Sequence, residues 1–577
     1  MIAPTHQIEH IGGIPYIFET LKELQIIRIL NEVYSPHRNW VGLPIGETIA
    51  IWICYCLTEN DHRMCPLEKW VTTKKNLLEK LIGFQFSPKC FTDDHLARIL
   101  SLLHNNELWN RFESELNRST LRIYGLTDEN IVRLDMTTVN SNGIIDKNGL
   151  IQFGNSKDDA SLPQIKIVLS VLDVLGLPLT VSVVPGNCAD DPLYIPAMEK
   201  VKKSTGQSGL LFVGDCKMGA IATRLYTTIN NDFYLCPLSE VSHPTQEIYS
   251  AIIAHQESNL SFTQVSRSYY DGSDAIIAEG FEKKISHSME YEGKIITWEE
   301  RLIYAKSFAH ANKFRLSLEE QVKKAFFEIN SMNKRGKGKK IYRTIEEAKE
   351  KVHAILGDKG LTAVFEVEYI EHISNTPKRK YGNNPARIEQ STRIEVKPTI
   401  NLQALQQAQE LSGWRVYVTN KPENELSMQD VVLTYRDQYI IEHQFHRLKG
   451  KALSLAPMFI QRDDRIDGLV KFLTIVMRPL VIIEKKVRDS LKSRGQGLSG
   501  LFEYNPTKIV NNPKTERIIE FFKEIYLLVS FYGEQVFYTI TGINQKHREI
   551  LNLMNVDISV YTQLGSIQES EFKISER

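Results

Sequence analysis

Four short runs decide how this chain reads: IVRLDMTTV (131–139), QIKIVLSVLDV (164–174), LPLTVSVV (177–184) and GLLFVGD (209–215). Each is rich in β-branched residues, bounded by Gly, Pro or Asn, and too short for a buried helix, so each reads as a strand. LGLP at 175–178 supplies a hairpin turn between the second and third. DDPLYIPAMEKVKKS at 190–204 reads as a helix leading into the fourth strand. A mixed sheet with a crossover helix is an α/β core.

Working outward, residues 15–128 carry helical spacing in IPYIFETLKELQIIRILNEVY and DDHLARILSLLHNNELWNRFESEL, punctuated by NWVGLP and FQFSPKCFT. Residues 238–410 are polar and heterogeneous. They hold expected strands in AIIAEGFEK, KIITWEERLIYAKS and LTAVFEVEYI, and expected helices in LSLEEQVKKAFFEIN and TIEEAKEKVHAIL. NKRGKGKKIYR at 333–343 reads as an exposed basic loop, GWRVYVTN as another buried strand, and from 435 onward helices predominate. There is no internal repeat.

Composition narrows the class. At about 150 residues per domain, 577 residues suggest three or four domains. A hydrophobic fraction of 42% and a charged fraction of 24% are those of a globular chain, which excludes wholesale disorder, collagen and coiled-coil arrays. Seventy Lys and Arg balance seventy Asp and Glu, so any nucleic-acid surface must be local. Seven cysteines, an odd number, form no disulfide framework and fit a reducing compartment. The apolar run IAIWICYCL (49–57) is far shorter than the roughly 20 residues that span a bilayer. The expectation is a soluble, cytoplasmic protein without a membrane partner.

Three carboxylates carry the chemistry. Asp135 ends the apolar part of IVRLD and Asp215 ends LLFVGD. A carboxylate terminating a hydrophobic strand needs a partner or a cation, and strand ends are where α/β sheets meet ligands. Either aspartate alone is more often a capping or turn residue. The third comes from YRDQYIIEHQFHRLKG (435–450). On one helix Tyr435, Gln438, Glu442, His446 and Lys449 fall within about 40° of a line, with Ile441, Phe445 and Leu448 as the apolar stripe and Arg436 and Arg447 on the other flank. Three converging carboxylates repel one another unless a divalent cation neutralises them. Hard oxygen ligands suit Mg²⁺ or Mn²⁺, and two ions roughly 3.5–4 Å apart clamp a phosphodiester for in-line displacement.

Asp135, Asp215 and Glu442, in LDMTTVNSNG, VGDCKMGA and YRDQYIIEHQFHRLKG, resemble the DDE triad of bacterial insertion-sequence transposases with a ribonuclease-H-like core. The resemblance is to the insertion-sequence-four type, whose helix signature is Tyr, two residues, Arg, three residues, Glu, six residues, Lys. Tyr435, Glu442 and Lys449 match it, and Gln438 stands at the Arg position with Arg436 beside it. FGNSKDD (153–159) and QIKIVLSVLDVLGLPLTVSVVPGNCADD resemble the run between that family's two aspartates. Eighty positions separate Asp135 from Asp215 and 227 separate Asp215 from Glu442, so residues 238–410 are an insertion.

The resemblance implies an organisation: a helical N-terminal domain (1–128) for DNA binding or assembly, the first part of the catalytic core (129–237), an α+β insertion domain (238–410), the second part of the core with the Glu helix (411–455), and a helical C-terminal region (456–577). It implies an endonuclease that cuts at element ends, leaves a 3′-OH and joins it to target DNA. Asp135, Asp215 and Glu442 would be both catalytic and metal-binding, with two Mg²⁺ or Mn²⁺ ions. Tyr435, Arg436, Gln438, Arg447, Lys449 and Lys157 would contact DNA. Partners would be double-stranded DNA, as terminal inverted repeats and target, and a second copy of the chain in the synaptic complex.

Fifteen Lys and Arg against seven Asp and Glu between Arg447 and Arg517, the loop 333–343, and 377–380 offer phosphate tracks. His443 and His446 have no further His or Cys at zinc spacing, and no Gly-Lys-Ser/Thr makes a nucleotide loop, so no nucleotide cofactor is expected. Trp414 is a core residue or a stacking platform. The alternatives are a ribonuclease-H-like nuclease that only hydrolyses, or a catalytically weak DNA-binding derivative of a transposase.

Overall fold

A computed structural model describes residues 5–35, 40, 42–156, 159–173, 175–268, 273–336, 338–379 and 385–568. The chain forms two compact units, one of residues 1–236 with 435–577 and one of 237–434. In chain order the strands are β1 (Thr5–His10), β2 (Ile131–Asn140), β3 (Gln164–Leu172), β4 (Leu177–Pro185), β5 (Leu211–Val213), β6 (Phe233–Pro237), β7 (Thr263–Ser268), β8 (Asp274–Tyr291), β9 (Lys294–Ser307), β10 (Phe365–Lys378), β11 (Arg387–Ile400), β12 (Trp414–Thr419), β13 (Tyr526–Tyr532), β14 (Gln535–Thr541) and β15 (Ser566–Ile567).

In the first unit β2 to β6 lie in the order β4-β3-β2-β5-β6. β2–β3 and β3–β4 are antiparallel, while β2–β5 and β5–β6 are parallel. β3 is buried throughout, its apolar residues in the core and its polar Gln164 and Lys166 bonded at the strand end. The helix Tyr194–Thr205 leads to β5, as the sequence predicts. Flanking helices make this a mixed α/β architecture.

Its helical side is organised on one element, the 32-residue helix Asp463–Arg494, buried from Ile466 to Glu484. It packs on β4 and on the helix Asp93–Leu103. Gly468 makes that approach possible, because a Cβ there would stand 2.0 Å from the Leu100 carbonyl oxygen. Trp52 of the buried helix Ile45–Glu59 stacks on Phe472 at 4.1 Å between ring centres. No helix among the described residues is long and apolar enough to cross a membrane.

The C-terminal region departs from the helical expectation. YLLVSFY and QVFYTIT form the hairpin β13–β14, and β1 pairs antiparallel with β13 to build the sheet β1-β13-β14-β15. The sequence around Gly533 alternates aromatic and β-branched residues with a tight turn, a hairpin pattern that the helical reading of 456–577 overlooks.

The second unit carries strands in the order β12-β9-β8-β7, all antiparallel, and the separate hairpin β10–β11. Its core gathers Leu318, Val322, Ala325 and Ile329 of the helix Phe308–Ser331, Val352 and Ile355 of Ile345–Gly357, and Ile394 and Val396 of β11. β12, read from sequence with the second part of the catalytic core, pairs along its whole length with β9. The described residues of the loop 333–343 are exposed apart from Tyr342 and the half-buried Asn333.

Candidate active site

β2 and β5 are parallel neighbours in the register Ile131↔Leu211 to Arg133↔Val213. Asp135 and Asp215 each follow by two residues the last registered pair, Arg133↔Val213. Asp215 keeps extended backbone (φ −77°, ψ −176°) and starts the turn at Cys216, its Oδ1 accepting the Lys217 amide at 2.8 Å. Tyr194 donates its hydroxyl to the same Oδ1 at 2.6 Å. Burial, then the charges of Asp215 and Asp135, hold the Tyr194 phenol well above its usual range, so it stays a donor. Both aspartates thus act on one hydroxyl. Asp135 Oδ1 also accepts the Met136 amide at 2.8 Å.

The predicted helix 435–450 is two elements. Met428–Arg436 ends, Asp437 and Gln438 form a turn through Gln438 N–H to the Tyr435 carbonyl and Ile440 N–H to the Asp437 carbonyl, and Tyr439–Lys449 begins. Tyr435 and Arg436 therefore belong to a different helix from Glu442, and both are half-buried. No Gly or Pro marks the break in the sequence.

Two contacts fix the Tyr439–Lys449 helix against β2. At one end Arg133 Nη1 donates to Gln438 Oε1 at 3.2 Å; at the other Lys449 Nζ donates to the Thr138 carbonyl at 3.0 Å. The rise from Gln438 to Lys449 at about 1.5 Å per residue, and from Arg133 to Thr138 at about 3.3 Å, is roughly 16 Å in both cases. Helix and strand therefore run side by side in the same direction. Counted along the two axes, Glu442 stands about 6 Å beyond Gln438 and Asp135 about 6.6 Å beyond Arg133. Gln438, Glu442 and Lys449 share a stripe about 40° wide on the helix, and Arg133, Asp135 and Thr137 share one face of β2. Thr137 Oγ1 lies 3.4 Å from Lys449 Nζ, so that face is the one the helix covers. Glu442 sits in the first helical turn with its side chain exposed. A carboxylate is favoured there by the helix dipole. Among the described residues, no three His, Cys, Asp or Glu side chains stand close enough together, as they are, to hold a metal ion.

Other expected contact residues fare differently. Arg447 is 1% exposed and is held by Glu484 and by Glu516 at 2.8 Å, so it is an internal ion pair and not a phosphate contact. Its place on the flank opposite Glu442 points it at the long helix, where the buried Glu484 needs a cation. Part of the positive excess between Arg447 and Arg517 is internal too: Lys471 is buried with Asp467, Arg478 with Asn117, and the half-buried Lys486 pairs with Glu23, while Lys451, Arg462, Lys492, Arg494, Lys508 and Lys514 are exposed. His443 faces Lys514 Nζ at 3.0 Å, and burial together with the Arg447 and Lys514 charges lowers it to about 4. His446 is exposed. Lys157 lies outside the described residues.

The structure also brings forward residues that sequence reasoning passes over. Arg133 is fully buried and bridges Asp173 and Gln438. Its signal was a lone arginine inside an apolar strand, which must find a partner. Tyr194 carries no such mark. The motif residues between the aspartates turn out to close the strand ends. Gln164 Nε2 donates to the Gly186 carbonyl at 2.9 Å, Ser156 Oγ to Asn140 Oδ1 at 3.1 Å, and Lys166 Nζ to Asp190 at 2.5 Å. A Cβ on Gly186 would lie 2.0 Å from the Gln164 carbonyl oxygen.

No family model matches this chain, and no curated protein sequence does. Among solved structures it is similar to the piggyBac transposase in a cryo-EM structure of its synaptic complex with hairpin DNA, at a TM-score of 0.34 and 9% identity, over 88% of this chain and 80% of that one.

Proposed function

We propose that this chain is a DNA transposase of the DDE kind, of the bacterial insertion-sequence-four type, in which Asp135, Asp215 and Glu442 form the catalytic centre. This reading is supported by the pairing of β2 with β5, whose last registered pair, Arg133↔Val213, lies two residues before Asp135 and Asp215, and by the two bonds that tie the ends of the Glu442 helix to β2. The strand order β4-β3-β2-β5-β6, antiparallel then parallel, is that of a ribonuclease-H-like sheet and supports it.

The donor set fits a divalent cation of the Mg²⁺ or Mn²⁺ class: hard carboxylate oxygens only. Both protein donors to Asp215 use Oδ1, which offers Oδ2 to a cation. Asp135 and Asp215 would hold it. Glu442, being exposed, would join by a change of rotamer. Such an ion acts as a Lewis acid on the phosphodiester and lowers the pKa of a bound water. The chain's own part is positional. Tyr194 keeps Asp215 oriented, and the Arg133–Gln438 and Lys449–Thr138 bonds hold the two ends of the Glu442 helix on β2. Cleavage at an element end would release a 3′-OH, and attack of that hydroxyl on target DNA would repeat the displacement. Tyr435, Arg436, Gln438, Lys449 and Lys157 are the proposed DNA contacts, with a second copy of the chain in the synaptic complex.

The test is cleavage of the element's own terminal repeats in Mg²⁺ by the wild type and by Asp135→Asn, Asp215→Asn and Glu442→Gln. Each substitution should abolish nicking and strand transfer while leaving DNA retention and the melting temperature in place. An Asp135→Asn protein that still nicks those ends removes the catalytic assignment.

A further inference from the structure

Asp215 offers its two carboxylate oxygens unequally. An ionised carboxylate oxygen has about two acceptor positions. Oδ1 has both filled, one by the Tyr194 hydroxyl at 2.6 Å and one by the Lys217 amide at 2.8 Å. Among the described residues no donor reaches Oδ2.

The two donors differ in origin. Lys217 donates from the backbone of the turn Cys216–Gly219, so any residue but proline supplies that bond. Tyr194 donates from a side chain, and only a residue with a hydroxyl at that reach can replace it. The residue is 0% exposed and opens the helix Tyr194–Thr205. Gly214 makes room for its ring, because a Cβ there would stand 3.1 Å from Tyr194 Cε1 and 2.8 Å from Met218 Sδ. A buried hydroxyl bonded to a carboxylate does not turn away without losing a charge-assisted bond. Oδ1 is thereby withheld from any further partner, and Oδ2 alone is left to meet a cation.

That restriction sorts divalent cations by size. Mg²⁺ demands near-ideal octahedral surroundings, keeps several waters and is held by one or two carboxylates. Ca²⁺ collects about six to eight oxygens, and a carboxylate that gives both of its own is a common way to reach that number. A carboxylate limited to one oxygen suits the first ion and denies the second a ligand.

We infer that Tyr194 is a specificity-determining residue: by occupying Oδ1 it makes Asp215 a one-oxygen ligand and so selects Mg²⁺ over Ca²⁺. It acts through Asp215, as a positioning residue. The inference rests on the proposed role of Asp215 as a cation ligand, and the two can fail separately.

The test uses the full chain with Mn²⁺ as the probe, read by the electron paramagnetic resonance signal of the free ion, and with Mg²⁺ and Ca²⁺ as competitors. Wild type, Asp215→Asn and Tyr194→Phe are compared. Mn²⁺ binding that Asp215→Asn abolishes supports the ligand role. In Tyr194→Phe the affinity for Ca²⁺ relative to Mg²⁺ should rise about tenfold, the lower end of what losing the partner of a metal ligand does to metal affinity. A merely structural role would weaken both ions alike; an unchanged ratio overturns the inference and leaves Asp215 a ligand. A wild type that binds no Mn²⁺, or an Asp215→Asn protein that binds it as tightly, overturns both. Lys217→Pro removes the other donor to Oδ1 and must move the ratio in the same direction. Should Tyr194→Phe fail to fold, an unchanged ratio in Lys217→Pro is enough to overturn the inference.

Discussion

Replacing Arg133 by Met is the sharpest probe of how the Glu442 helix is held. The guanidinium is 0% exposed and its two partners, Asp173 and Gln438, have side chains drawn towards it from the β3–β4 turn and from the helix start. Burial already pushes the Asp173 carboxyl up, against the opposing pull of Arg133. Removing one member of a buried ion pair costs about 3–5 kcal/mol, because the other charge is left uncompensated. Losing the acceptor role of Gln438 adds about 1 kcal/mol. Since the Asp173 side chain keeps 16% exposure and can protonate, the lower end, about 3 kcal/mol, is the expected loss. Urea unfolding followed by circular dichroism reads this as a lower midpoint with unchanged slope in the transition of the first unit. Arg133→Met combined with Asp173→Asn should recover more than half of it, as a double-mutant cycle resolves. A single mutant within about 1 kcal/mol of wild type, or a double mutant no better than the single, refutes the argument. Under the proposed function the single mutant should also lose DNA cleavage beyond its folded fraction, because this bond ties the start of the Glu442 helix to β2.

Arg447→Met should destabilise by about 3–5 kcal/mol by stranding Glu484 and Glu516, whereas a phosphate-contacting surface arginine would cost almost nothing; chemical denaturation separates the two. Gly186→Ala should cost about 2 kcal/mol or more, since the added methyl meets the Gln164 carbonyl oxygen at 2.0 Å and the backbone must move; an unchanged melting temperature would contradict it. Burial lowers His62, His95 and His547 below the ordinary histidine value. The unfolded chain therefore binds protons first as pH falls through about 6.5, and stability declines from there downward. Melting temperatures at pH 7.5 and 5.5 should fall in that order, and an equal or higher value at 5.5 would reverse the sign.

The α/β core is legible because its strands are short, β-branched and largely apolar runs bounded by turn residues, as β3 and β4 show. Asp135 and Asp215 were legible for the same reason, as carboxylates where such runs stop. What stayed hidden was pairing over distance. The break at Asp437–Gln438 has no local signal and coincides with the bond from a buried arginine three hundred residues earlier. Arg447 carried the same charge in the sequence whether it faced solvent or Glu484; only burial separates the two. β13 and β14 were missed for a different reason, an alternating pattern overshadowed by the helical segment before it, and β1 is too short to announce itself without its partner.

The pairing of β1 with β13 has a consequence for synthesis. Strands more than five hundred residues apart must meet before the first unit is complete, and Glu442 emerges from the ribosome long after Asp135 and Asp215. The second unit is continuous from 237 to 434 and has its own core, so it can form while the nascent chain is still tethered. Closure of a contact with such long sequence separation is slow. A translation product that stops before β13 would therefore carry the inserted unit folded and the first unit incomplete.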